Sequence, residues 1–156
     1  MQSTPRPAEA GDLPFLLKLE ELSFPKGRRE SHRSIRGSLS SPHQEVWIAV
    51  ASDGSPAGAL FLRFRGGRCR VYSIAVDPEF RGRGLGRVLL GTALIRARKR
   101  GCRIVHLEVD PANQGAVNLY RSMGFVPDGE RIDFYGPGES ALRWIFNLSS
   151  ETDASH

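Results

Sequence analysis

The sequence predicts one mixed α/β domain with a central, mostly antiparallel sheet flanked by helices. Three observations carry this expectation. Three successive β-rich segments are joined by short turns, so each doubles back on the last. A long helical segment then separates two further strands, and a helical connection makes strands 70–76 and 104–109 parallel neighbours. Two final β-rich runs read as an antiparallel pair. A chain of 156 residues suits a single domain, assigned to residues 1–148, with a polar tail at 149–156 expected to be disordered.

The elements follow in order. Residues 1–11 are proline-rich and allow at most a short edge strand. Asp12 is positioned to cap a helix in which Leu13, Leu16, Leu17 and Glu20 recur at helical spacing and which stops near Leu22, ahead of Pro25. Ser31 caps a second helix, 31–40, with Ile35 and Leu39 on one face. Strands are expected at 46–51, 57–65 and 70–76, with turns at 52–55 and at Gly66 and Gly67. Residues 84–100 form the clearest helix. Leu89, Leu90, Ala93, Leu94 and Ala97 make its apolar stripe, cations crowd its last turn, and Gly101 follows as a natural terminator. A strand at 104–109 leads to a helix at 113–123, with Ala116, Leu119, Tyr120 and Met123 on one face. The final strands, 125–134 and 141–148, flank a connection at 135–140.

Composition narrows the function classes. The chain is 40% hydrophobic and 25% charged, which excludes disordered and collagen-like chains. No apolar run approaches the roughly 18 residues of a membrane span, and the N-terminus lacks a signal-like apolar core. Two isolated cysteines, Cys69 and Cys102, argue against a disulfide framework or a zinc site and for a reducing cytoplasm. The net charge is +5, carried almost wholly by arginine. Such a balance suits a polyanion or a phosphorylated cofactor. No recognised nucleic-acid motif accompanies it, which argues against a nucleic-acid partner.

The densest chemical signal runs from residue 71 to 90. A strand ending at Ile74, Ala75 and Val76 leads to Arg81, Gly82, Arg83, Gly84, Leu85, Gly86 and Arg87, and then to the long helix. Glycines let the backbone come close to a ligand, and amides at a helix N-terminus bind phosphate oxygens. A dinucleotide fingerprint fails, because the sixth position counted from Gly82 is Arg87. A P-loop fails for want of its terminal Lys-Ser/Thr. Further on, Glu108 shares a strand face with Ile104 and His106. On pattern alone this carboxylate suits a salt bridge as well as catalysis, and Tyr120 suits core packing. Asn113 is a good helix cap.

Arg81, Gly84 and Gly86 after this strand resemble the acetyl-CoA loop of the GCN5-related N-acetyltransferases. Asn113, Ala116, Leu119, Tyr120, Gly124 and Phe125 resemble the family's second cofactor segment, in the manner of the ribosomal-protein-alanine and protein N-terminal acetyltransferases. The resemblance implies a fold in which the two parallel strands splay around acetyl-CoA. It implies that the residues from Ile74 to Val76 and from Arg81 to Arg87, with Asn113 and Tyr120, bind the cofactor. It also implies that Glu108 accepts a proton and Tyr120 donates one. Residues 134–141 resemble the hairpin that holds a substrate peptide in these enzymes, with Phe134 and Ser140 replacing the usual Tyr and Asp. Phe24 and Pro25 resemble the substrate-side loop, with Lys26 where Trp is common. Phe24 and Tyr135 are thereby implied in acceptor binding.

This chemistry has three needs. The acceptor must shed a proton, which is easier for an α-amine with pKa about 7.7–8.0 than for a lysine near 10.4. Charge on the thioester oxygen needs N–H donors, which the strand at Ile74–Val76 can supply. The leaving thiolate, with pKa near 8.5 by analogy with cysteine, gains from a proton donor. No metal is required. The acceptors to weigh are the N-terminus of a protein or peptide, a ribosomal protein among them, or a small amine such as an amino acid, polyamine or antibiotic. A non-catalytic acyl-CoA-binding module is the rival from another class. The oligomeric state is not legible.

Overall fold

The computed structural model of the chain describes residues 4–149. Eleven regular elements follow one another: β1 (Arg6–Pro7), α1 (Leu13–Ser23), α2 (His32–Ser40), β2 (Gln44–Val50), β3 (Pro56–Arg65), β4 (Arg68–Val76), α3 (Leu85–Lys99), β5 (Ile104–Val109), α4 (Gln114–Ser122), β6 (Val126–Gly136) and β7 (Glu139–Asn147). The strands make one seven-stranded sheet in the order β1-β2-β3-β4-β5-β7-β6. Only β4 and β5 are parallel, as the intervening helix requires. The mixed α/β class and the antiparallel bias agree with the sequence. The tail expected to be disordered lies, from residue 150 onward, outside the described residues.

Each sheet face has its own core. On one, α3 presents Leu85, Leu89, Leu90, Ala93, Leu94 and Ala97 to Leu60, Leu62, Val71, Val105, Leu107 and Trp144, with α4 and Phe125 completing the layer. Full burial of a leucine contributes about 1.5–3 kcal/mol, so this helix is anchored by its stripe. The chain then reverses at Gly101, whose φ is 73°, with Cys102 N–H bonded to the Ala97 carbonyl at 2.9 Å. On the opposite face, Leu16, Leu19 and Ile35 of α1 and α2 cover Val46, Ile48, Ala59 and Phe61. They cover only the β2–β4 side of the sheet.

Three expectations need correction. Asp12 precedes α1, yet its side chain does not cap it. The carboxylate accepts from Glu9 N–H at 2.7 Å and from both Nη atoms of Arg6 at 2.9 Å, fastening β1 instead. The last connection is far tighter than 135–140, because β6 and β7 extend to Gly136 and Glu139. The stripe of α4 is also rotated: Val117 and Tyr120 are buried most deeply, while Ala116, Leu119 and Met123 pack at its margin. Ser31, by contrast, caps α2 as expected, accepting from Ser34 N–H at 3.0 Å.

Candidate active site

The site begins with a fault in the sheet. β4 pairs with β5 only at Arg68–Ile104, Cys69–Val105 and Arg70–His106. Just beyond, the β3–β4 register jumps from Phe61–Ser73 to Leu62–Val71, leaving Tyr72 without a partner. An extra residue of this kind bends a strand and sharpens its twist. The bulge thus sits where β4 turns away from β5, and the outer edge of β4 beyond it has no strand partner. A cleft of about 690 Å³ opens in the gap.

Several elements supply its walls. The end of α1 contributes Glu20, Ser23 and Phe24; β4 contributes Arg70, Tyr72 and Ile74; β5 contributes Glu108; α4 and its cap contribute Tyr120 and Asn113; and β6 contributes Phe134 and Tyr135. Six residues expected at the site from sequence therefore share one cleft: Phe24, Ile74, Glu108, Asn113, Tyr120 and Tyr135. Glu108, its side chain only 4% exposed, accepts from Arg70 Nε at 3.2 Å and from Arg131 Nη1 at 3.1 Å. The salt-bridge reading of this residue is therefore realised, and the carboxylate is held in a fixed orientation on the cleft wall. Tyr120 packs against Phe125, ring centroids 6.1 Å apart. Burial pushes its hydroxyl up to about 12, so it keeps its proton at neutral pH. Asn113 Oδ1 caps α4 by accepting from Ala116 N–H at 3.1 Å.

The other expected residues lie elsewhere. Ala75 packs toward α1 and α2, and Val76 toward α3. Residues from Arg81 to Arg87 gather at the N-terminus of α3, outside the cleft lining. There Gly82 and Gly84 have φ of 77° and 80°, values that side-chain-bearing residues adopt at a cost. Leu85 is buried and can offer only backbone. At Gly86 a Cβ would stand 3.4 Å from Leu119 Cδ2, an ordinary van der Waals contact with α4. Of the basic side chains, Arg81 Nε donates to the Val76 carbonyl at 3.2 Å, Arg83 lies over the Phe80 ring at 5.2 Å, and Arg87 donates to Ser122 Oγ at 2.8 Å. The first amides of α3 have no acceptor within their own helix. Together with the exposed arginines they fit a diphosphate, and the unpaired edge of β4 fits an amide-bearing chain leading from it to Glu108 and Tyr120.

Sequence reasoning missed the residues that close one side of the cleft. Arg28 donates to Asp110 at 2.9 Å and to Glu139 at 2.7 Å, and its guanidinium lies 3.9 Å from the Tyr135 ring centroid. It joins three loops far apart in sequence, so no local pattern announces it. The β6 strand kinks at Asp133, which holds φ of 55°. The Asp133 carboxylate accepts from Gly138 N–H at 2.7 Å and its own N–H donates to Ser140 Oγ at 3.2 Å. Ser140, a departure from the family's hairpin, thus serves the hairpin's own backbone. Glu20 is buried and accepts from Glu30 N–H at 2.8 Å; burial above all raises its pKa. No cluster of three or more His, Cys, Asp or Glu among the described residues is arranged to hold a metal, and no described helix is long and apolar enough to cross a membrane.

Comparison with known proteins defines the class. Residues 13–125 match the acetyltransferase (GNAT) family, and the chain belongs to that family. Among its relatives, a candidate ribosomal-protein-alanine N-acetyltransferase of Bacillus subtilis is 31% identical over 109 residues, covering 69% of this chain and 72% of that one. Mycothiol acetyltransferase of Clavibacter sepedonicus is 38% identical over 103 residues, 62% of this chain but 34% of the relative. The chain spans 24% to 34% of the length of the first curated relatives it matches. Among solved structures, the ribosomal-protein-alanine N-acetyltransferase of Escherichia coli superposes with TM-score 0.83 at 25% identity, covering 96% of this chain and 95% of that one. The spermidine/spermine N-acetyltransferase of Vibrio cholerae shares the fold, with TM-score 0.80 at 23% identity over 99% of this chain and 98% of its own.

Proposed function

We propose that this protein transfers the acetyl group of acetyl-CoA to the N-terminal α-amine of a protein or peptide. One observation carries the reading: Glu108 and Tyr120 line the same cleft, at the point where β4 and β5 part. When bound, acetyl-CoA supplies an activated acetyl thioester. Backbone amides at the N-terminus of α3, with Arg81, Arg83 and Arg87, hold its diphosphate. N–H groups on the free edge of β4 near Ile74–Val76 polarise the carbonyl, and Asn113 borders the same passage. Glu108 would take the first proton from the acceptor ammonium, directly or through a water; Tyr120 would give its proton to the sulfur as the C–S bond breaks and the C–N bond forms, and the second proton shed by the nitrogen would restore the Tyr120 hydroxyl. The Tyr120 hydroxyl, raised to about 12 by burial, carries a proton at neutral pH. Phe24 and Tyr135 line the acceptor half, and the likeness to ribosomal-protein-alanine enzymes makes a ribosomal N-terminus the first candidate. The reading sets the reaction in the cytoplasm.

A small amine is the second acceptor class, favoured by the carboxylates of Glu20 and Asp110 in the cleft wall. Mass spectrometry separates the two. The protein is incubated with acetyl-CoA and peptides bearing free or blocked N-termini, beside polyamines and free amino acids. Acetylation of free peptide N-termini alone is the expected result. Transfer only to small amines overturns the peptide assignment, and acetyl-CoA binding without transfer to any of them overturns the catalytic one.

A further inference from the structure

The mechanism above uses only one edge of a large feature of the molecule, where Arg70 and Arg131 grip Glu108. α1 and α2 cover only part of their sheet face, and the rest carries a field of arginines. Cross-strand partners share a face, so the register assembles it. Arg63 pairs with Arg70 and Arg65 with Arg68. Arg68 and Arg70 adjoin Ile104 and His106. Next come Arg143 beside Glu108 and Ile145 beside His106, and then Arg131 on the outer strand. Six arginines thus meet two carboxylates, Glu108 and Asp128, in a chain whose net charge is only +5. Arg65 and Arg68 are exposed at the tip of the β3–β4 turn. There the field continues into a second cleft of about 660 Å³, lined by His43, Arg65, Arg68 and Arg100. Arg63 lies 3.4 Å from the Tyr72 ring centroid, whereas Arg100 is engaged by Glu45 at 3.1 Å and by the Pro42 carbonyl at 2.9 Å.

We propose that this arginine face docks the phosphodiester backbone of a nucleic acid. The chemistry of the face selects that occupant. Protein interfaces are depleted of charge at their centres, whereas here the centre is guanidinium. A phosphate backbone needs only repeated, sequence-independent cation contacts, and the guanidinium fork matches phosphate oxygens two at a time. Alternate residues along a strand stand about 6.6 Å apart and strands about 4.8 Å apart, so the field is a broad lattice of cations suited to an extended polyanion. No recognised motif is legible in the sequence because these arginines come from four strands, β3, β4, β6 and β7.

The test is fluorescence anisotropy of the full chain with a labelled 20-nucleotide single-stranded RNA and, separately, a 20-base-pair DNA duplex. With four to six phosphate contacts, affinity for the single strand should fall roughly 50- to 300-fold between 50 and 200 mM salt. The double variant Arg65→Glu/Arg68→Glu should bind at least about ten-fold more weakly, with the log–log salt slope shallower by about 1.4. Arg33→Glu/Arg36→Glu, on the exposed side of α2, changes net charge equally and should bind like the parent. The milder Arg65→Ala/Arg68→Ala guards against misfolding and should show a smaller loss in the same direction. Preference for RNA or for duplex DNA names the source of the backbone, and either supports the proposal. Equal losses in both charge-reversed variants, no binding at 50 mM salt, or tighter binding of a polyglutamate 20-mer than of either nucleic acid would overturn it.

Discussion

At the scale of single residues, burial decides which groups titrate and which stay inert. Burial pushes the Tyr120 hydroxyl, already protonated at neutral pH, further up to about 12. Cys69, raised by burial to about 12 as well, is no nucleophile at neutral pH. Glu108→Gln keeps an acceptor oxygen for Arg70 or Arg131 but cannot take a proton. Turnover should fall by about 10²-fold or more while acetyl-CoA affinity, measured calorimetrically, is unchanged; Tyr120→Phe should behave alike. His106 offers a different test. Desolvation first, then Arg143, lowers its pKa to about 4, below the ordinary 6.5 of the unfolded chain. The folded state therefore binds fewer protons, and stability is full above pH 6.5 and drains away as pH falls toward 4. Urea midpoints at pH 7 and pH 4.5 should differ less in His106→Gln than in the parent.

At the scale of elements, the legible parts were those whose pattern repeats locally. The α3 stripe and its Gly101 terminator, the Ser31 cap of α2 and the parallel β4–β5 pair all follow from spacing or from connection length. The proposed site residues Glu108, Tyr120 and Asn113 were singled out only through the family's motifs, since periodicity alone left Glu108 divided between ion pair and base. The β4 bulge was not legible, because Tyr72 is an ordinary β-former and only its register against β3 leaves it over. The Asp133 kink was missed for a similar reason: its φ of 55° is sustained by Gly138 and Ser140 across the hairpin. Gly84 gives the element-scale prediction. Gly84→Val forces a branched side chain to φ of 80° at the start of α3, which costs about 1–2 kcal/mol or shifts the loop. Acetyl-CoA affinity should fall at least ten-fold by calorimetry, with the far-UV spectrum preserved.

At the scale of the whole molecule, loops distant in sequence are joined over the cleft by Arg28. Its ion pairs are partly exposed, so each contributes only about 0–1 kcal/mol, and its larger role is to hold the acceptor side together. Arg28→Ala should change the melting temperature little, raise KM for an acceptor peptide several-fold, and speed hydrogen exchange in the loops around Asp110 and Glu139. Unchanged KM and exchange would show that the three loops hold their places without it. By itself, the sequence determined the order of elements, the parallel pair at the centre and the loop chemistry at the start of α3, because helix period, turn residues and motif spacing are properties of neighbours along the chain. Only the tertiary structure decided that Arg70 and Arg131 would grip Glu108, that Arg28 would bridge three loops, and that six arginines would share one face. Those contacts depend on strand register and on a single bulge, which are settled by packing between segments and leave no local mark.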